Sequence, residues 1–492
     1  MYHISDLKKY MRCPRLFVLD QREEQQERPQ SFLRLDQTVT DLAAQKLGIR
    51  DAFTGSVGDP KEKALSALAD YEWLIKARFE YDGLRVKVPF LHRLPGGSYE
   101  LYFLILGLFP MDNDMLFYSS MVWALEGNGV RISKMHIMHL NASYVRNGEL
   151  DVDQLFVVSD YFYNGRHHPS KPVEEAVRES IRDLHGPLRM MDAALLKEAP
   201  APVHTGRCTG RIMCPYYGSC FVSEAGMPFN SILTLTASGQ RYAMKQAGKE
   251  YLRDADFNAI EGTRQQYAQI MADHNGGVFA DRCAIQAWLD DVRYPIAFLD
   301  FEWERYAIPP FDGLRPFDVV PFEYSLHVLE EDGFIRHSVF LSVQDDRQDM
   351  IRSLLKEMPP AGSLIAYNAE GAEKIRLQEW MDQFPQYRSD LEKLTARMKD
   401  LQQPFMSGAV YDTKMAGSWT LKSILAAIGG QGYKDLDIHE GMSAVYAWRH
   451  LDREEENVDR QQIIDDLKAY CSMDSYAMIS VFQWLQQLAG QK

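Results

Sequence analysis

Asp300 and Glu302 stand two residues apart at the end of an apolar run, PIAFLDFEW (295–303). Side chains alternate across a strand, so this spacing sends both acids to one face and Phe301 to the other. Two carboxylates in one place repel unless a cation lies between them, and hard oxygen donors of this kind suit Mg²⁺ or Mn²⁺. Taken alone, the same pattern also describes a strand that runs out into a solvated acidic loop. Near the other end of the block, Tyr470 and Asp474 lie four residues apart in YCSMD (470–474). On a helix that spacing puts a phenol and a carboxylate on one face, one turn from each other. Between these two signals, SLIAYNA (363–369) reads as a short strand ending in Asn368. It leads into a helix that bears Glu370 and Glu373. An acid placed just after a strand-to-helix turn can reach a site at the end of the neighbouring strand.

These residues need a scaffold, and the block from 291 to 492 supplies one. Three strand candidates, PIAFLDFEW, VVPFEYSLHVLE (319–330) and FIRHSVFLSV (334–343), come first. Helices, the strand ending in Asn368 and an amphipathic helix over 460–488 follow, which predicts an α/β domain with a mixed sheet. Residues 229–290 read as a helical connector, with helices over 239–253 and 262–274 and no strongly alternating strand. Residues 1–228 form a first block with strands in LYFLILGLF (101–109) and KMHIMHLN (134–141), closed by CTGRIMCPYYGSC (208–220).

The chain has 492 residues, 46% hydrophobic and 25% charged, which fits two or three globular domains. Its longest apolar run, 101–110, is about half of what a bilayer requires, and the first residues lack the apolar core of a signal peptide. A cytoplasmic protein without a membrane partner is expected. Six cysteines in so long a chain do not make a disulfide framework, and their clustering points to a metal or cluster site. The net charge of −15 argues against nonspecific coating of nucleic acid, which relies on Lys and Arg. Residues 1–230 hold 27 basic and 29 acidic side chains and residues 231–492 hold 27 and 40, so the acidity sits with the candidate metal ligands. Grip on a polyanion is then expected partly from the first half.

In combination, the DxE strand, the Asn368 strand with its following acid and the YxxxD helix resemble the tyrosine-bearing branch of the DEDD (DnaQ-like) exonucleases, built on an RNase H-like fold. The resemblance implies two Mg²⁺ or Mn²⁺ ions held by Asp300, Glu302 and Asp474, with Glu373 completing the acidic set and Glu370 its competitor. It implies that Tyr470 orients the attacking water, that Asn368 contacts substrate, and that a phosphodiester is hydrolysed from the 3′ end. The family pattern places an Asp four residues after the Asn; here Glu373 lies five after. Asp400-Leu401 and GSWTLKSILAAIGG (417–430) are similar to elements that line the substrate groove of such domains.

The opening SDLKKYMRCPRLF (5–17) and the segment CPYYGSCF (214–221) resemble RecB-like PD-(D/E)XK nucleases that carry an iron–sulfur cluster. The resemblance implies a 4Fe–4S cluster on Cys13, Cys208, Cys214 and Cys220, with Zn²⁺ as the rival metal and free thiols as the third reading. Such a domain should carry an acid-x-Lys. Here Glu100 is followed by Tyr102, Asp114 stands where Gln would precede Tyr118, and no lysine occurs from 88 to 133. The first block is therefore expected to be catalytically decayed and to bind substrate or a partner. HLNASYVRNGELDVDQLF (139–156), FLDFEW and IPPFDGLRPFDVVPFEYSLH (308–327) are similar to an uncharacterised bacterial family, domain of unknown function 2779, across nearly the whole chain. The expected function is a metal-dependent nuclease on DNA more than RNA, compatible with repair or phage defence. The alternative is a catalytically inactive binding or scaffold protein.

Overall fold

A computed structural model describes residues 1–23, 37–209, 213–221, 226–430, 432–433, 438, 441–451 and 459–490. The chain is a mixed α/β protein of two compact units, residues 1–221 with 306–318, and residues 222–305 with 319–492. The segment 229–290 lies within the second unit, and 306–318 returns to the first.

In the first unit, strands β1 (Tyr2–His3), β2 (Phe53–Thr54), β3 (Trp73–Tyr81), β4 (Leu84–Arg93), β5 (Tyr99–Leu104), β6 (Ile132–Leu140) and β7 (Phe156–Ser159) form one seven-stranded sheet. Its order is β2-β3-β4-β5-β6-β7, with β1 beside β4. Phe79, Val86 and Phe103 on one face pack against Met121, Val122 and Leu125 of the helix Met115–Gly127 and against Phe17. Phe90, Leu104 and Met138 on the other face join a second cluster that takes in Ala307, Ile308 and Phe317. The returning segment is fixed there by Arg146, which donates to the carbonyls of Pro309 (3.0 Å) and Pro310 (2.7 Å). A small hairpin, β8 (Tyr161–Tyr163) with β9 (Pro169–Pro172), completes the strands of this unit.

The second unit is built on a five-stranded sheet of β11 (Ile296–Arg305), β12 (Val319–Leu329), β13 (Ile335–Leu341), β14 (Ser363–Ala366) and β15 (Met398–Asp400). Its order is β13-β12-β11-β14-β15. The pairs β11/β12 and β12/β13 are antiparallel, whereas β11/β14 and β14/β15 are parallel. Alternation decides the two faces of β11. Ala297, Leu299 and Phe301 join Met350, Leu354, Leu377 and Trp380 of the helices on one side. Ile296 and Phe298 face the terminal helix Arg460–Ala489, whose Ala477, Met478, Val481, Phe482 and Leu485 repeat at helical spacing. Asp459 caps that helix by accepting from the amides of Gln461 and Gln462, and Gly490, at φ +86°, ends it.

The helix expected over 239–253 is shorter, Arg241–Gln246. Gly248 takes φ +83° and its amide returns to the Lys245 carbonyl, a left-handed stop that residues with a side chain rarely adopt. The second connector helix, Arg264–His274, starts where Thr263 and Gln266 form a capping box. The same stretch contains a short strand that hydropathy alternation did not reveal, β10 (Val278–Ala280), antiparallel to β16 (Val410–Asp412).

At the start of β14, Gly362 sits at φ +88°, and a Cβ added there would lie 1.9 Å from the Pro295 carbonyl oxygen. Gly362→Ala should therefore destabilise the second unit by more than about 2 kcal/mol. A urea-unfolding midpoint equal to that of the wild type would show that the β11/β14 approach is not this close.

Candidate metal centre

The β11 alternation that buries Ile296 and Phe298 under the terminal helix carries Asp300 and Glu302 onto the same face. On the helix the buried stripe runs through Leu467, Tyr470, Cys471, Asp474 and Ala477. Asp474 thus meets the strand where the apolar stripe gives way to polar residues. One carboxylate oxygen from each of Asp300, Glu302 and Asp474 lies within 4.8 Å of the other two. No other set of three His, Cys, Asp or Glu side chains among the described residues converges as closely.

Burial pushes the Asp300 carboxyl well above the usual carboxylate range, and the charges of Asp474, Glu302 and Glu373 push it further. Glu302 is raised in the same way by burial, Asp474 and Glu323, and Lys422 partly offsets the rise. Glu373 is 3% exposed and its Oε2 has no hydrogen-bond partner. Burial, then Asp400 and Asp474, lift it to about 8, although a backbone hydrogen bond and Arg376 pull the other way. Glu370 instead points outward and pairs with Lys374 at 2.7 Å. Of the two acids after β14, Glu373 is the one brought to the cluster. Asn368 takes φ +59°, its amide donates to Asp400 (2.9 Å), and its exposed side chain lies over Gly371.

Around the acids stand donors that motif spacing does not single out as a site. Tyr433 donates to Asp474, and Lys422 donates to the Tyr470 hydroxyl at 2.8 Å. The Cys471 thiol lies 3.5 Å from Asp300 Oδ2. The helix Gly441–Leu451 passes over the strand ends. Its Arg449 forms a two-pronged ion pair with buried Glu304, Trp448 stacks on Phe322 at 4.8 Å, and a Cβ on Gly441 would lie 3.7 Å from Glu302 Oε2. Glu323 faces Glu302 directly across the β11/β12 pair, is 0% exposed, and neither of its oxygens has a hydrogen-bond partner. An acid in the middle of the apolar strand VVPFEYSLHVL was the signal in the sequence for it.

In the first unit, Cys13, Cys208, Cys214 and Cys220 all line one cavity of about 240 Å³, together with Arg12, Arg15 and Arg207. Arg15 donates to the Cys220 sulfur (3.2 Å), while burial pushes the Cys214 thiol up. Cys283 is exposed and Cys471 buried, and neither lines this cavity. The absence of a lysine near Glu100 is corrected by the sheet. Lys134, one residue past the segment without lysine, stands opposite Glu100 on β6 and donates to it at 2.9 Å. His92 (3.2 Å) and Tyr102 (3.1 Å) also reach Glu100. Burial alone would raise this carboxyl, but the three hydrogen bonds hold it below the usual range. Asp114 pairs with Lys8 at 2.5 Å, and Tyr118 is buried in the core.

A family model described as a domain of unknown function, DUF2779, matches residues 297–420. The match runs from β11 through the segment before the helix Leu421–Ala427 and stops short of Tyr470 and Asp474. No curated protein and no solved structure matches the chain. Among the described residues no helix is long and apolar enough to cross a membrane.

Glu323 gives a pH test of this electrostatic environment. Burial raises its carboxyl from 4.5 to about 8. Between those values the unfolded chain releases a proton that the folded chain keeps, so this contribution to stability is complete at low pH and drains as pH rises towards 8. Glu323→Gln should flatten the fall in urea-unfolding free energy of metal-free protein between about pH 5 and 8. An unchanged slope would mean that this carboxylate is stabilised by something other than its proton.

Proposed function

We propose that the second unit is a two-metal-ion nuclease that hydrolyses phosphodiester bonds of DNA or RNA, acting as a 3′-to-5′ exonuclease of the DEDD type. The convergence of Asp300, Glu302 and Asp474, from a central strand and a distant helix, carries this reading. Three carboxylates sharing one corner, Asp474 buried and Asp300 and Glu302 half-buried, are mutually repulsive, and oxygen donors at this spacing fit a hard divalent cation. Mg²⁺ or Mn²⁺ bound there would supply an activated water and stabilise the leaving oxygen. Asp300, Glu302 and Asp474 would hold the cations, Glu373 would add negative charge beside them, and Tyr470 would orient the attacking water. Asn368, at the exposed rim, is suited to touch the substrate. The mixed sheet, with the acid-bearing strand in its middle, agrees with the RNase H-like arrangement that the resemblance implies.

The first unit is proposed as an accessory domain that binds nucleic acid or a protein partner and carries a 4Fe–4S cluster on Cys13, Cys208, Cys214 and Cys220. The four thiols line one cavity, and the resemblance of the segments that carry them implies a 4Fe–4S cluster, with Zn²⁺ as the alternative. A cavity lined by four thiols is suited to a larger inorganic core.

With Mn²⁺, purified protein should shorten end-labelled single strands, and chelation should stop it. Asp300→Ala and Asp474→Ala should each lower the rate by more than roughly 100-fold, the upper range for losing only a residue behind a ligand. Unchanged shortening in both variants would move the activity elsewhere. For the accessory domain, anaerobically purified protein should be brown and hold about four irons per chain, lost in Cys214→Ser. A colourless protein with stoichiometric zinc would overturn the cluster.

A further inference from the structure

We propose that the β3/β4 face of the first unit carrying Arg78 and Lys87 binds the phosphate backbone of a nucleic-acid strand; this rests on the reading of that unit as a nucleic-acid-binding domain. β3 and β4 set Arg78 directly opposite Lys87 and Glu80 directly opposite Arg85. Ala77, Phe79, Val86 and Val88 join the core, so alternation puts all four charged side chains on the other face. At the Glu80–Arg85 pair the fold matches opposite charges, 3.5 Å apart. At the next pair on the same face it sets two cations side by side, an arrangement that costs stability in a sheet.

The neighbouring groups do not relieve that repulsion. Asp59, the carboxylate whose charge acts on Arg78, has both oxygens taken, one by the Lys63 ammonium at 2.8 Å and one by the Ser56 amide at 2.7 Å. Arg78 gives its Nε to the Ser56 carbonyl (2.7 Å), a neutral acceptor that fixes the guanidinium without cancelling its charge. Lys87 is exposed, and partial desolvation, then the charges of Lys76 and Arg78, push its ammonium below the usual lysine range. β2 pairs only with Leu74 and Ile75, so beyond them β3 is the edge of the sheet and an extended chain can approach it. Side chains on one face of a strand repeat about every 6.6 Å, so Lys87, Arg85 and Arg78 form a short cationic row. A guanidinium fork matches phosphate oxygens two at a time. In a chain with 69 acidic and 54 basic residues this row runs against the prevailing charge, and a polyanion is the partner that supplies what it lacks.

Fluorescence anisotropy of a labelled single-stranded oligonucleotide, titrated with the full chain in EDTA, tests this surface without turnover. Each phosphate contact on a single strand adds about 0.7 to the slope of log affinity against log salt. The double variant Arg78→Gln, Lys87→Gln should therefore lose about 1.4 of that slope and bind roughly 25-fold more weakly at about 0.1 M salt. Lys356→Gln with Lys393→Gln, which removes the same charge from exposed positions of the second unit, should change neither. Because the like-charged pair costs stability, Lys87→Gln should also raise the urea midpoint of unfolding, whereas loss of a merely structural lysine would lower it. Affinity and slope equal to wild type in the first double variant, or a lowered midpoint in Lys87→Gln, would overturn the proposal. Displacement of the strand by polyglutamate as readily as by unlabelled oligonucleotide would overturn it too, and would assign the face to an acidic protein. If the wild type binds no strand, the nucleic-acid reading of the first unit falls together with this surface. Strand binding that persists undiminished in the double variant removes the surface alone.

Discussion

Mutual repulsion among buried carboxylates governs the second unit. Asp300, Glu302, Glu373 and Asp474 come from a strand and two helices far apart in sequence; burial pushes each above its ordinary range, and neighbouring carboxylates push Asp300, Glu302 and Glu373 further. Left to itself, such a group would spread apart or keep protons. It stays together because the elements that carry it are held by apolar packing that has no freedom to relax. Ile296 and Phe298 lock β11 against Phe482 and Leu485, and Leu299 and Phe301 lock its other face against Leu377 and Trp380. The acids occupy the end of the strand where that packing stops, so the core sets their positions without screening their charge.

The polar surroundings of the cluster extend the same logic. Ser475 joins Ser325 (2.7 Å) and His327 (2.8 Å), and His337 reaches Ser325 (3.0 Å) and Ser472 (3.1 Å). These bonds tie the terminal helix to β12 and β13 on either side of Asp474, within two residues of it. Buried polar groups satisfied in this way favour one register of helix on sheet, because sliding by a residue would leave each of them unpaired. The β11/β12 register shifts between Glu302 and Trp303, whose partner Pro321 has no N–H to give to the ladder.

Much of this was legible in the residues. PIAFLDFEW and VVPFEYSLHVLE alternate or run apolar strongly enough to be read as strands, and the spacing of Tyr470 and Asp474 fixed their common helix face. Convergence of strand and helix was not legible, because no local pattern encodes which end of a sheet a helix 170 residues away will cross. Tyr433 was hidden for a similar reason, and the GSWTLK element drew attention to the segment of Lys422 without showing its partner, as each gains its meaning only from the terminal helix. Lys134 escaped because strand neighbours are set by sheet order, and a search along one strand cannot see across to the next. The helix read over 239–253 failed at Gly248, where composition still looked helical but the backbone needed a left-handed residue.

The chain itself holds buried carboxylates in two contrasting surroundings. Glu100 is as buried as Asp474, both at 8% exposure. Yet Lys134, His92 and Tyr102 give Glu100 its donors from within the fold, and its carboxyl sits below the usual range. That is what folding achieves when a buried acid needs only to be stable. At the other site the fold places acid against acid, leaves Glu323 and one oxygen of Glu373 without donors, and supplies Lys422 as a partial offset. A protein able to satisfy one buried carboxylate three times over has gathered several others and left them short of positive charge. The missing charge is the kind that a divalent cation carries.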